Sequence, residues 1–177
     1  MKSSTKTIVE LIRKNKRYKR LLETFDNAKI YNIPCERLIG ELKDIHSLRE
    51  VRRLSIRDPD YVDKLLNANA QDQAQRSRCT EILMQCLEVT EKLNRALAAL
   101  KDYLLLEFSD HLRPLRTKEE RLLVLNVALR KFSRFLENVA VVKGIADLVI
   151  ADIDKAGWSM RASIDALKIT RKTETHL

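Results

Sequence analysis

Apolar residues recur at heptad spacing through most of the second half of the chain. One run alternates four- and three-residue steps, at Cys79, Leu83, Cys86, Thr90, Leu93, Leu97, Leu100 and Leu104. After a loop at about 109–117, a second run continues the alternation at Leu122, Leu125, Leu129, Phe132, Leu136, Val139, Lys143, Ala146, Ile150 and Ile153. Two heptad helices joined by a short loop predict an antiparallel coiled-coil hairpin. Thr117 and Glu120 fit a capping box at the start of the second helix.

The N-terminal third predicts two further helices. Thr7 and Glu10 fit a capping box, and apolar residues then recur at helical spacing as far as Phe25. A turn at 31–34 follows, because a proline disfavours helix at the residue before it. A second helix is expected over about 35–54.

A strong helix start signal separates this region from the rest. Asp58 suits the N-cap and Pro59 suits the first helical position. We therefore expect an all-α protein with a basic helical nucleic-acid-binding arm at 1–57 and a helical hairpin oligomerisation domain at 58–177. Within the latter, 67–75 has no apolar stripe and is predicted to be a solvated helical spacer or a hinge.

The C-terminal region predicts a helix end and a surface for self-association. Gly157 stands where the last residue of a helix adopts a left-handed conformation, and Ser159 can cap a short C-terminal helix. Apolar residues off the main seam predict a second packing surface, which other subunits of a homo-oligomer are expected to cover. The residues predicted for this contact are Val142, Ile145, Val149, Trp158, Met160, Ile164 and Leu167.

Composition adds a charge asymmetry. The net charge of the chain is +9, with only three Gly and three Pro among 177 residues. Residues 1–57 hold fifteen Lys and Arg against seven Asp and Glu, whereas residues 58–177 hold nineteen against eighteen. A basic N-terminal segment on a nearly neutral remainder predicts an anionic partner.

The remaining composition indicates a location. The three cysteines form no CxxC motif, which fits a reducing compartment. No apolar run approaches the length of a membrane span, and the N-terminus lacks the apolar stretch of a secretion signal. The expectation is a soluble cytoplasmic protein without a membrane partner.

The sharpest candidate for binding chemistry is the segment RKNKRYKR at 13–20, in which six of eight residues are cationic. Phosphates would relieve the mutual repulsion of these charges, and Tyr18 could stack on an unpaired base. The alternatives are a solvated basic face, or a Tyr18 that closes the core of the arm itself. The predicted nucleic-acid-binding residues of 1–57 are Arg13, Lys14, Lys16, Arg17, Tyr18, Lys19 and Arg20, with a second cluster at Arg49, Arg52, Arg53 and Arg57.

Catalytic patterns are weak. The glycines are isolated, so no Gly-rich loop can hold a phosphate, and the three histidines are dispersed, without a second ligand at metal spacing. No Ser or Cys has a base partner visible in the sequence. The sequence predicts a non-enzymatic protein without a metal or another cofactor.

The closing segment resembles that of the UvsY-type phage recombination mediators. The residues that carry this resemblance are Ile153-x-x-x-Gly157-Trp158-Ser159-Met160-Arg161-x-x-Ile164-Asp165, and the similar region covers roughly 58–172. The resemblance implies an oligomeric protein that binds single-stranded DNA and loads a recombinase onto strands coated by single-strand-binding protein. If the chain is phage-encoded, the host would be an infected bacterium.

The resemblance also implies DNA contacts on the first long helix, at basic residues that precede Asp102-Tyr103. Ala98 and Leu100 stand at the expected spacing here. The neighbouring cations, and therefore the predicted contacts on this helix, are Lys92, Arg95 and Lys101.

Two other functions fit the same pattern. A phage small terminase subunit also joins a DNA-binding helical unit to an oligomerising hairpin, and 7–54 could be its helix-turn-helix for duplex DNA. A structural coiled-coil adaptor would instead use its basic arm on an anionic protein or membrane face. Preference between single and double strands distinguishes the first two functions.

Overall fold

The computed structural model describes residues 2–27, 31, 33–50, 60–115 and 117–174, and these residues contain helices and no strand. The all-α prediction is confirmed. The helices are α1 (Lys2–Lys14), α2 (Lys16–Asn27), α3 (Cys35–Glu50), α4 (Tyr61–Glu107), α5 (Ser109–Leu112), α6 (Lys118–Ala128) and α7 (Arg130–Glu174). Within these residues, no helix has the apolar length that a transmembrane span requires.

The chain folds into two compact units, and each of them draws on both halves of the sequence. Unit 1 consists of 1–34 and 85–141, and unit 2 consists of 35–84 and 142–177. The predicted boundary at Asp58 lies outside the described residues. The helices that the structure describes within 1–57 divide between the units, because α1 and α2 belong to unit 1 whereas α3 belongs to unit 2.

The core of unit 1 joins α1 and α2 to parts of α4, α6 and α7. Ile12 from α1 is fully buried, and Tyr18 from α2 is 5% exposed. This burial explains why the basic N-terminal helices lie on unit 1, since their apolar faces complete its core. The other buried members of this cluster are Ile8, Val9, Leu93, Leu97, Leu100, Leu104, Leu112, Val124, Leu125, Ala128, Leu129 and Phe132.

Unit 2 buries residues of α3, α4 and α7 and adds ion pairs between these helices. Its buried apolar residues include Leu38, Leu42, Ile45, Tyr61, Leu65, Cys79, Ile82, Val142, Ala146, Val149 and Ile153. Arg76 of α4 binds Asp154 of α7, with 2.6 Å between Nε and Oδ1. Because Arg78 donates hydrogen bonds to the Glu41 carboxylate, the pKa of Glu41 is lowered.

The structure confirms one predicted helix start, lacks a second, and contains a third that the sequence did not predict. The capping box of Thr117 and Glu120 is present, with the Thr117 side chain accepting from the Glu120 amide. Thr7 is not an N-cap, because α1 already begins at Lys2. The helix predicted to continue from Thr7 to Phe25 is interrupted at Asn15, whose side chain favours a cap over a helix interior.

The heptad prediction identifies the two long helices, but not every buried position. In α4, Ile82 and Val89 are buried where Leu83 and Thr90 were predicted, because apolar neighbours make both registers possible. In α7, Val142 is buried and Lys143 is exposed. The second predicted helix is interrupted at Leu129 between α6 and α7, yet Phe132, Val139 and Ala146 beyond the break are buried as predicted.

The polar stretch 67–75 is helical as part of α4 and most of its side chains are exposed, which agrees with the predicted solvated helical spacer. Ala68 and Asp72 are buried there. A charged residue thus occupies the buried stripe, and the periodicity of apolar residues alone could not reveal it.

The predicted helix end at Gly157 is wrong, and so is the separate C-terminal helix. Helix α7 continues through Gly157 to Glu174, and no glycine among the described residues has a positive φ. A glycine inside a helix costs only about 0.5–1 kcal/mol relative to alanine, so the good helix formers on either side can carry the helix through it.

Candidate nucleic-acid interface

The candidate site lies where α1 meets α2. The Asn15 Oδ1 atom accepts hydrogen bonds from the backbone amides of Arg17 at 2.9 Å and Tyr18 at 3.4 Å, so it caps α2. Asn15 is therefore the single residue between the end of α1 and the start of α2. The result is a tight junction with cations on both sides of it.

The six cations of 13–20 form a surface that we call the basic segment. Their side chains are all exposed, and none of them has an ion pair with another described residue. The members are Arg13, Lys14, Lys16, Arg17, Lys19 and Arg20. Unpaired positive charge in this concentration favours a polyanionic ligand.

Helix dipoles indicate where a bound anion would be stabilised most strongly. Arg13 and Lys14 stand in the last turn of α1, where cations are favourable. Lys16 and Arg17 instead stand in the first turn of α2, which holds no acidic residue, so two cations face the positive end of a helix dipole. A phosphate at this position would offset both the dipole and the side-chain charges.

The charge asymmetry holds for the folded units as well as for the sequence. Unit 1 holds nineteen Lys and Arg against eleven Asp and Glu, a net charge of +8. Unit 2 holds fifteen against fourteen, a net charge of +1. The positive field is therefore concentrated on unit 1.

A groove of about 450 Å³ runs beside the basic segment within unit 1. Arg17 and Arg20 line one side, and the small side chains of Ala96 and Ala99 leave space on the other. The remaining lining residues are Leu21, Thr24, Leu100 and Tyr103. The groove thus combines cationic and apolar surface.

Tyr103 connects the groove to the junction. The Arg17 guanidinium carbon lies 3.9 Å from the centroid of the Tyr103 ring. Asn15 Nδ2 donates a 3.5 Å hydrogen bond to the Tyr103 hydroxyl. The sequence gives Tyr103 no such role, because only the tertiary approach of α2 to α4 brings it to Arg17.

Tyr18 lies in the core of unit 1. Its ring is buried and meets Phe132 edge-on, with centroids 6.1 Å apart, and its hydroxyl donates a 3.3 Å hydrogen bond to the Ala128 carbonyl. The alternative that Tyr18 closes the local core therefore describes the structure. Phe25 is likewise packed among Tyr31, Phe132 and Phe135.

Of the predicted second basic cluster, the structure describes Arg49, which is held in ion pairs within unit 2. Arg49 belongs to unit 2, and only 7% of its side chain is exposed. Its Nε atom binds Asp72 at 3.2 Å, and Nη1 binds Asp152. The positive charge of Arg49 is thereby neutralised inside the unit. The other three predicted members, Arg52, Arg53 and Arg57, lie outside the described residues.

The predicted cations of α4 have mixed surroundings. Lys92 and Arg95 are exposed, but they form ion pairs with Glu88 and Glu91 one turn before them. Lys101 is half-buried on the same helix as Tyr103. These three residues therefore add less free charge than the basic segment does.

The residues predicted for oligomerisation differ in how deeply they are buried. Val142 and Val149 are buried in unit 2, so they pack within the subunit. Trp158 is 71% exposed, and the Arg161 guanidinium carbon lies 5.8 Å from the centroid of its ring. Ile145, Met160 and Ile164 are half-buried, and the side chain of Leu167 lies outside the described residues.

Reactive groups are scarce in the described part of the chain. It contains no group of three His, Cys, Asp or Glu residues that could hold a metal ion. Burial raises the pKa of the Cys35 and Cys79 thiols, which disfavours the nucleophilic thiolate. The sequence matches no family model, and no curated protein or solved structure is significantly similar to it.

Proposed function

We propose that the protein is a non-enzymatic nucleic-acid-binding protein whose ligand is single-stranded DNA. The observation that carries this proposal is the basic segment, with six exposed cations that lack carboxylate partners among the described residues. Such a surface binds phosphates by releasing counterions, and the affinity does not depend on sequence. The buried apolar faces of α1 and α2 hold these cations on a folded unit.

The division of the helices supports a single strand over the duplex ligand of a small terminase. A DNA-binding helix-turn-helix at 7–54 would need α2 and α3 within one compact unit. However, α2 belongs to unit 1 and α3 belongs to unit 2. The groove beside Arg17 and Arg20 has a volume typical of sites that hold small ligands, on the scale of a nucleotide.

Two finer parts of the proposal rest on other observations. The antiparallel pairing of α4 with α7 into a coiled-coil hairpin is supported by their heptad stripes and by the Arg76–Asp154 ion pair. Self-association into a homo-oligomer is supported by the exposed ring of Trp158. Recombinase loading is proposed from the sequence resemblance alone.

The experiment replaces Arg13, Lys14, Lys16 and Arg17 together by Ala and measures affinity for a labelled single-stranded oligonucleotide at several salt concentrations. The logarithm of affinity falls with the logarithm of salt by about 0.7 for each neutralised phosphate. If each cation contacts one phosphate, the slope should change from about −4 to about −1.5.

Lys143 and Lys155 provide a matched control, since both are exposed cations of α7 in unit 2. Their joint replacement by Ala should leave the slope unchanged. Because the control removes half as many charges, a change in its slope half as large as that of the fourfold variant would show that net charge, rather than the basic segment, governs binding. An unchanged affinity in the fourfold variant would refute the proposed site.

A further inference from the structure

The groove of unit 1 offers more than phosphate contacts. Its cationic side is formed by Arg17 and Arg20, and its opposite side is formed by Ala96, Ala99 and Leu100. An apolar floor next to guanidinium groups matches a nucleotide, which joins the stacking face of a flat aromatic base to an anionic phosphate. A ligand bound only through its phosphates would need no such floor.

Tyr103 is built into the wall of this groove. Its ring is half-buried, the Arg17 guanidinium covers one face at 3.9 Å, and Asn15 contacts its hydroxyl at 3.5 Å. A guanidinium held over the face of an aromatic ring can still direct N–H groups to a phosphate. Asn15 also caps α2, so one side chain positions both the helix start and the ring.

We propose that this groove is a base-binding subsite, in which an unpaired base packs against Tyr103 and the floor of Ala96, Ala99 and Leu100 while Arg17 and Arg20 hold the adjacent phosphate. The proposal rests on the proposed function, because it deepens the site for single-stranded DNA. Bases in a duplex are paired and stacked, so they cannot enter the groove. The subsite therefore predicts a preference for single strands over duplexes.

The test measures the affinity of the intact protein for a thymidine oligonucleotide and for a duplex with the same number of phosphates. Tyr103→Ala should weaken binding of the single strand by about 5- to 150-fold, which is the range for loss of one base–aromatic stack. Duplex affinity should change by less than about 3-fold. The salt slope for the single strand should stay constant, because a base contact releases no counterions.

Two further variants separate the ring from the fold. Tyr103→Phe retains the ring and should bind the single strand within about 3-fold of wild type. Ala99→Gln should weaken single-strand binding selectively, because Ala99 is exposed and lines the groove, and a longer side chain would occupy the space of the base. Glutamine is a good helix former, so α4 should remain folded.

A photochemical measurement locates the base directly. An oligonucleotide with 5-iododeoxyuridine should give an adduct at Tyr103 after irradiation, identified by peptide mass spectrometry. Equal loss of single-strand and duplex binding in Tyr103→Ala, unchanged binding in Ala99→Gln, or adducts only outside the groove would overturn the subsite. Failure of the wild-type protein to bind either ligand would instead refute the proposed function.

Discussion

The buried position of Tyr18 leads to a prediction that separates two roles for the same residue. As a stacking residue, Tyr18 would contribute to DNA affinity and little to stability. As a core residue, it would do the reverse. The informative change is Tyr18→Phe, which removes only the hydroxyl, and Tyr18→Ala removes the ring as well.

The magnitude follows from the break between α6 and α7. The Phe132 amide donates to the Leu129 carbonyl, three residues back, whereas a regular helix would direct it to Ala128. The Tyr18 hydroxyl supplies a hydrogen bond to the Ala128 carbonyl. Leaving a buried acceptor without its donor costs about 1–3 kcal/mol, so Tyr18→Phe should lower the free energy of unfolding by that amount.

Removal of the whole ring should cost more. Large aromatic residues replaced by Ala in a core lose about 3–5 kcal/mol, through lost burial and the remaining cavity. Tyr18→Ala should lie in this range, because the ring also meets Phe132 edge-on. The order of stability should be wild type, then Tyr18→Phe, then Tyr18→Ala.

The assay is urea denaturation followed by far-ultraviolet circular dichroism, combined with a DNA titration where each variant is folded. Affinity for a single strand should stay within about 2-fold of wild type, since the ring is 5% exposed. A Tyr18→Phe variant as stable as wild type, or a Tyr18→Ala variant that is stable but binds DNA many-fold more weakly, would refute the reasoning.

Two other predictions concern α7. Gly157→Ala should stabilise the protein by about 0.5–1 kcal/mol in urea denaturation, because a Cβ there meets nothing within 4 Å and the residue is helical. Gly144→Ala, equally open, is the comparison, and destabilisation by Gly157→Ala alone would contradict the continuous helix. Trp158→Ala should lower the particle mass in light scattering, and an unchanged mass would exclude this ring from subunit contacts.

Much of the helical architecture follows from the sequence, since amphipathic periodicity and capping chemistry are local. The capping box at Thr117 depends on residues three apart and was predicted correctly. The register at Ile82 and Leu83 was not, because both side chains are apolar and tertiary packing decides between them. Gly157 misled for a related reason: a glycine permits a left-handed end but does not impose one.

The charge of the candidate site could be predicted from the sequence, but the contacts of its residues could not. The six cations at 13–20 are visible in the sequence, and their side chains are exposed in the structure. The partners of Arg49 are Asp72 and Asp152, which lie far away in sequence. The contact of Arg17 with Tyr103 is equally non-local, so no pattern along the chain could reveal it.

The central claim is that the exposed cations of unit 1 bind a single-stranded polyanion. Its most direct test is an anisotropy titration of the wild-type protein with a labelled thymidine oligonucleotide over a series of salt concentrations. We predict binding at about 0.15 M salt, with a log–log slope approaching −4 if all six cations contact phosphates. A protein that does not bind at this salt concentration, or binds with a slope near zero, would contradict the claim.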